Sequence, residues 1–175
     1  MGYNEIVEKI NQVIFNIDLR IKNLGEKIDM YTHLIKDREK GENIKKYHYE
    51  LERDNYQILK CSNEIKKGEL FKKRCMYYKE YLDALNKNDP INIKTSEYKF
   101  LKILQEEAIF YYDAQVKELK QRATIEKICD KEDTSTKRIK KVETERNKQL
   151  QIFLKQQFHI EKERLYSLDY LNYDI

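Results

Sequence analysis

The stretch Tyr3–Ile35 reads YNEIVEKINQVIFNIDLRIKNLGEKIDMYTHLI. Its apolar residues fall at Tyr3, Val7, Ile10, Ile14, Ile17, Ile21, Leu24, Ile28, Tyr31 and Ile35, with gaps alternating between four and three. An α-helix turns once in 3.6 residues, so this alternation keeps one stripe on one side for nine turns of spacing without a polar intruder. β-Branched isoleucine at most of these positions makes the stripe stiff. The spacing therefore predicts a helix over about 4–38 and a seam (Val7, Ile10, Ile14, Ile17, Ile21, Leu24, Ile28, Tyr31 and Ile35) that must be covered by another helix. Two occupants satisfy it: a second helix of the same chain, or a partner chain in a homo- or hetero-oligomer. The pattern stops at Arg38, and Gly41 supplies a turn or helix C-cap.

Outward from this stretch the same chemistry continues. Charged residues are 38% of the chain, with only 4 Gly and 1 Pro among 175 residues. Few breakers and abundant Lys, Glu, Ile and Leu select long helices over sheets. A second helix is expected over about 44–85. Ile44, Tyr47, Leu51, Ile58, Cys61 and Ile65 hold one phase, interrupted by Asp54, and Phe71, Cys75, Tyr78, Leu82 and Leu85 take another, with the slip at Gly68. Asn86 to Thr95, with Pro90 inside it, reads as a break, and Ser96 as the N-cap of a third helix over about 96–128. Apolar residues from Phe100 to Tyr112 surround that helix, which predicts the most buried part of the chain. Asp130 to Ser135 is a polar linker to a last helix over about 136–171. The fold class is thus all-α: three or four long antiparallel helices forming one elongated coiled-coil hairpin or bundle over 1–175.

The charge balance is +4 overall, from 35 basic and 31 acidic residues. The excess is local. Lys137 to Arg164 holds nine basic and four acidic residues. Lys137, Arg138, Lys140, Lys141, Arg146 and Lys148 form a candidate polyanion-binding face, broad and interrupted by Glu143 and Glu145, suited to phosphate contact rather than base reading. Fourteen tyrosines, clustered at Tyr47-Tyr49-Tyr56 and Tyr77-Tyr78-Tyr81, fit either base stacking or the rims of helix contacts.

Catalytic patterns are missing from the sequence. Four scattered glycines make no phosphate loop, and His33, His48 and His159 form no HExxH pair. His48 and Glu52, one turn apart, read as a surface contact rather than a metal site. Cys61, Cys75 and Cys129 are odd in number, with no CxxC, so a reduced intracellular setting is expected. No run of about 18 apolar residues exists to cross a membrane. The reading is a non-enzymatic scaffold or adaptor without cofactor or metal, docking protein partners through coiled-coil packing, with nucleic acid as a second class of partner.

One stretch carries a resemblance. Cys61, Ile65, Leu70, Phe71, Arg74, Tyr78, then Glu80-Tyr81-Leu82-Asp83-Ala84-Leu85, a loop with Pro90, and Glu97 opening a new helix resemble the seventh subunit of the THO complex, over about a third of the chain. The resemblance implies a coiled-coil subunit of a nuclear assembly that packages nascent mRNA. Ile160-Glu-Lys-Glu-Arg164 is similar to part of the last helix of the curved helical module of sorting nexins, which implies instead a membrane-surface-binding face.

Overall fold

The computed structural model describes residues 2–40, 47–129 and 131–156, with side chains to Ile152. Four α-helices account for nearly all of it: α1 (Tyr3–Glu39), α2 (His48–Asn86), α3 (Pro90–Ile128) and α4 (Thr134–Gln156). No strand occurs among the described residues. Gly41 and the expected helix start at Ile44, like the expected end of the last helix at 171, lie outside the described residues.

Successive helices run antiparallel. Tyr3 donates to Asp83, Asp18 meets Lys72 at 2.6 Å, Arg20 meets Glu64 at 3.3 Å, and Arg38 pairs with Asp54, so α1 lies along α2 from end to end. On the other side of α2, Lys99 reaches Glu80 at 2.8 Å, Arg74 reaches Glu107 at 3.0 Å, and Asn63 donates to Glu118 at 2.8 Å. Helix α4 then folds back on α3, with Arg146 on Asp113 at 2.8 Å. The core is a continuous cluster from three helices: Ile10 and Ile17, then Phe71, Cys75, Tyr78 and Tyr81, then Phe100 and Leu104. The Tyr78 and Phe100 rings sit 5.7 Å apart, tilted, which is a favourable aromatic geometry.

Two expectations are corrected. The α2–α3 break is three residues, not ten, and α3 starts at Pro90 rather than Ser96. The reason is local. Asn88 takes a left-handed φ of 52°, which asparagine tolerates. The Asp89 and Asn88 amides donate back to the Ala84 and Leu85 carbonyls, a Schellman closure of α2. The Asp89 carboxylate then accepts from the Ile91 and Asn92 amides and caps α3, with Pro90 in the first turn, where its missing N–H is not needed. Those bonds hold the Asp89 carboxyl below the usual range, the Asn92 amide contributing most. Ser96 is a buried residue inside α3 whose hydroxyl donates to the Asn92 carbonyl, and Glu97 lies two turns into the helix instead of opening it.

The most buried helix is α2, not the 100–112 stretch of α3. Phe100, Ile103 and Leu104 are buried, but Ala108, Ile109, Phe110 and Tyr112 are half-buried and Tyr111 is exposed. Helix α2 packs along α1 on one side and α3 on the other, whereas α3 packs against α2 and, less extensively, against the shorter α4.

Candidate interaction surfaces

The α1 seam is taken up largely by α2. Ile10 and Ile17 are buried in the core cluster, and Ile14 and Ile21 pack against it. At Gly68, an added Cβ would stand 3.3 Å from both Ile17 Cγ2 and Ile21 Cγ1, so the helices approach closely where α2 changes phase. Val7, Leu24, Ile28, Tyr31 and Ile35 are half-buried along the same side. Beyond them, Asp54, which interrupts the α2 stripe, is 1% exposed and held by Arg38 and by Arg53 at 3.3 Å. A buried carboxylate is tolerable only with such partners.

The opposite side of α1 carries a second apolar set. Phe15 is 63% exposed, Leu19 51%, Met30 49% and Leu34 38%. Residues two apart on a helix differ by about 200° in direction, so Phe15 and Leu19, flanking Ile17, and Met30, beside Ile28, face away from α2. Each pair has i,i+4 spacing, which forms a contiguous patch. The signal was present in the sequence as apolar residues off the seam phase, but the cleaner seam masked it.

The candidate polyanion face divides. Arg146 is spent on Asp113 at 2.8 Å and Lys137 on Glu132 at 3.0 Å. Arg138, Lys140, Lys141 and Lys148 are exposed and face no carboxylate among the described residues. Asp133 caps α4 by accepting from the Thr136 amide at 2.9 Å, and Glu126 accepts from the Ser135 amide at 3.2 Å. A shallow groove of about 500 Å³ runs between α3 and α4, lined by Asp113, Lys117, Lys120, Glu143 and Arg146, with its charges largely offsetting one another.

The remaining chemistry-bearing groups have structural surroundings. Burial pushes the Cys75 thiol up to about 12, against the opposing pull of Arg74, so it stays protonated at neutral pH and is no nucleophile. Glu107 rises to about 7, again chiefly by burial, with Arg74 and Lys67 pulling the other way. Tyr78 and Tyr81 are buried, and Tyr77 lies under the Lys99 ammonium at 5.6 Å, which removes one tyrosine cluster as a stacking platform. His33 and His48 are exposed, and Glu52 accepts from Gln121 rather than facing His48. His159 lies outside the described residues. Among the described residues, no three His, Cys, Asp or Glu converge on a point, and no helix is long and apolar enough to cross a membrane. No protein-family model matches the chain, and neither a curated protein nor a solved structure matches it.

Proposed function

We propose that the chain is a non-enzymatic helical scaffold or adaptor subunit that docks an amphipathic helix of a protein partner in a larger intracellular assembly. The observation that carries this reading is the outer stripe of α1, Phe15, Leu19, Met30 and Leu34, left exposed while the seam is covered by α2. Its two i,i+4 pairs span twenty residues from Phe15 to Leu34, roughly 28 Å of helix, a length that suits a partner helix of about five turns. The resemblance of residues 61–97 to the THO subunit supports a ribonucleoprotein setting for that assembly. Three free cysteines, two of them buried, fit a reducing compartment.

The test is substitution of Phe15 and Met30 by Asp. Both are surface positions, so helicity and denaturation midpoint should hold. A partner recovered with the unmodified chain is then purified and titrated against both forms. A loss of about tenfold or more in affinity, about 1.4 kcal/mol, supports the reading, and equal affinity refutes it.

A second reading rests on the cations of α4 that meet no carboxylate among the described residues. Arg138, Lys140, Lys141 and Lys148 together would neutralise a few phosphates of RNA and release counterions, giving binding whose logarithm falls with log salt at a slope of roughly −3 to −4. Replacing the four by Ser should abolish that slope. Binding to anionic vesicles with none to RNA would point to the sorting-nexin-like alternative.

A further inference from the structure

The outer face of α1 carries charges as well as apolar residues, and their order along the helix is regular. At about 100° per residue, Phe15, Leu19, Lys22, Glu26 and Met30 fall within about 80° of arc, with Leu34 at its edge. Lys22 and Glu26 are exposed and stand between the two apolar pairs. Glu8 and Lys40 prolong the same arc at its two ends, both exposed, with Lys40 lying 3.9 Å from Asp37 of its own helix. The buried Ile10 and Ile17 point to the opposite side, so α2 leaves this arc clear. From one end to the other the order is acid, apolar pair, base, acid, apolar pair, base. Reversed end for end, that order sets every charge against its opposite and every apolar pair against an apolar pair.

We propose that this face pairs with itself: α1 of a second copy lies antiparallel along α1, about a two-fold axis near Leu24 and Gly25. Lys22 then faces Glu26 of the second copy, Glu26 faces its Lys22, and Glu8 faces its Lys40. Leu19 meets Met30, whose flexible thioether fills uneven gaps, and Phe15 fits between His33 and Leu34. A two-fold axis makes each of these contacts twice. Residues 9–39 of one helix run beside 39–9 of the other, a shared length of ~46 Å at 1.5 Å per residue. Charge complementarity selects the occupant. A parallel pair would set Lys22 against Lys22 and Glu26 against Glu26, and a foreign helix would have to reproduce the whole alternation. Asp18, which comes near Asp29 of the second copy, is already neutralised by Lys72 at 2.6 Å. This inference rests on the reading of the outer stripe as a docking surface and names its occupant.

The experiment is sedimentation equilibrium of the full chain at low ionic strength, unmodified and carrying Lys22→Glu or Glu26→Lys. Both positions are exposed, so helicity should hold in each variant. The unmodified chain should be a dimer. Each reversal acts twice across the axis, so each variant should dimerise about tenfold or more weakly. Mixing the two variants in equal amounts should restore a dimer, because one then presents two acids to the other's two bases. A chain still monomeric at about 0.1 mM overturns the self-pairing. So does a dimer that is indifferent to the reversals, or one that mixing fails to restore. The docking reading fails on a different result, namely a foreign partner bound equally well by the chain carrying Phe15→Asp with Met30→Asp. A monomeric chain that loses such a partner on those two substitutions keeps the docking surface and overturns the second copy as its occupant.

Discussion

Helices α1 and α2 are nearly equal in length, 37 and 39 residues, yet they bury very different parts of themselves. Helix α1 has the unbroken heptad seam and fully buries only Ile10 and Ile17. Helix α2 has a stripe broken at Asp54 and Gly68 and buries ten residues, from Asp54 to Ala84. A helix with one neighbour needs one stripe, and one stripe is what periodicity reveals. A helix between two neighbours needs apolar residues on two sides, and the two stripes blur each other's period. Clean amphipathicity therefore marks the edge of this fold, and its loss marks the centre.

Substitutions at the centre should accordingly cost more than substitutions on the seam. Phe100→Ala empties a fully buried site facing Tyr78 of α2, and should lower stability by about 3–5 kcal/mol. Ile28→Ala, half-buried on the α1 seam, should cost less than about 2 kcal/mol. Denaturant titration of both variants decides the matter: equal losses would mean that α1 is as central as α2.

The buried ion pair at the far end of the hairpin comes next. Asp54→Ala strips Arg38 of its buried counter-charge, and we expect a loss of about 3 kcal/mol. Adding Arg38→Met should recover most of it, since the cost lies in stranding a charge rather than in losing a strong bond. Failure of the double variant to recover would place the damage in α2 itself.

How far this was legible from the sequence follows the same division. The α1 helix, its seam and the all-helical class were plain, because Tyr3 to Ile35 carries one uninterrupted period. That Asp54, Asn63, Ser96 and Glu126 would be buried was not, because each is accommodated by a partner fixed in the tertiary structure or one turn away. Pro90 was visible as punctuation, but whether it ends or begins a helix depends on Asp89 and Asn88 acting together. At the α4 face, the surplus of cations was legible, while the loss of Arg146 to Asp113, 33 residues away, was not.

A pH titration sharpens the contrast, since the α2–α3 contact holds a carboxyl lifted towards neutrality. Glu107 has an ordinary value of 4.5 and a folded value of about 7. The folded chain thus binds this proton more tightly than the unfolded chain. Its contribution is most favourable below about pH 4.5, declines as pH rises to about 7, and is flat above. Glu107→Gln should remove that decline, which we place at about 2 kcal/mol between pH 5 and 8. Denaturation midpoints at several pH values give the difference directly, and parallel profiles for the two proteins would refute it.

The finest probe uses two glycines, one in each helix. A mid-helix glycine costs roughly 0.5–1 kcal/mol relative to alanine, so Gly→Ala stabilises wherever the new methyl has room. At Gly25 of α1, nothing lies within 4 Å of the position the methyl would take, and the full gain is expected. At Gly68 of α2, the methyl would press on Ile17 Cγ2 and Ile21 Cγ1 at 3.3 Å and on Ile21 Cδ1 at 3.4 Å. Both neighbours are β-branched and stiff at χ1, and each must give by a few tenths of an ångström. Crowding should therefore offset the helical gain at Gly68, leaving that variant near or below the parent while Gly25→Ala rises by about 0.5–1 kcal/mol. Differential denaturation of the two single variants resolves a gap of this size. If both rise equally, the α1–α2 approach at the phase slip is looser than described, and the two-sided burial that distinguishes α2 begins beyond Gly68.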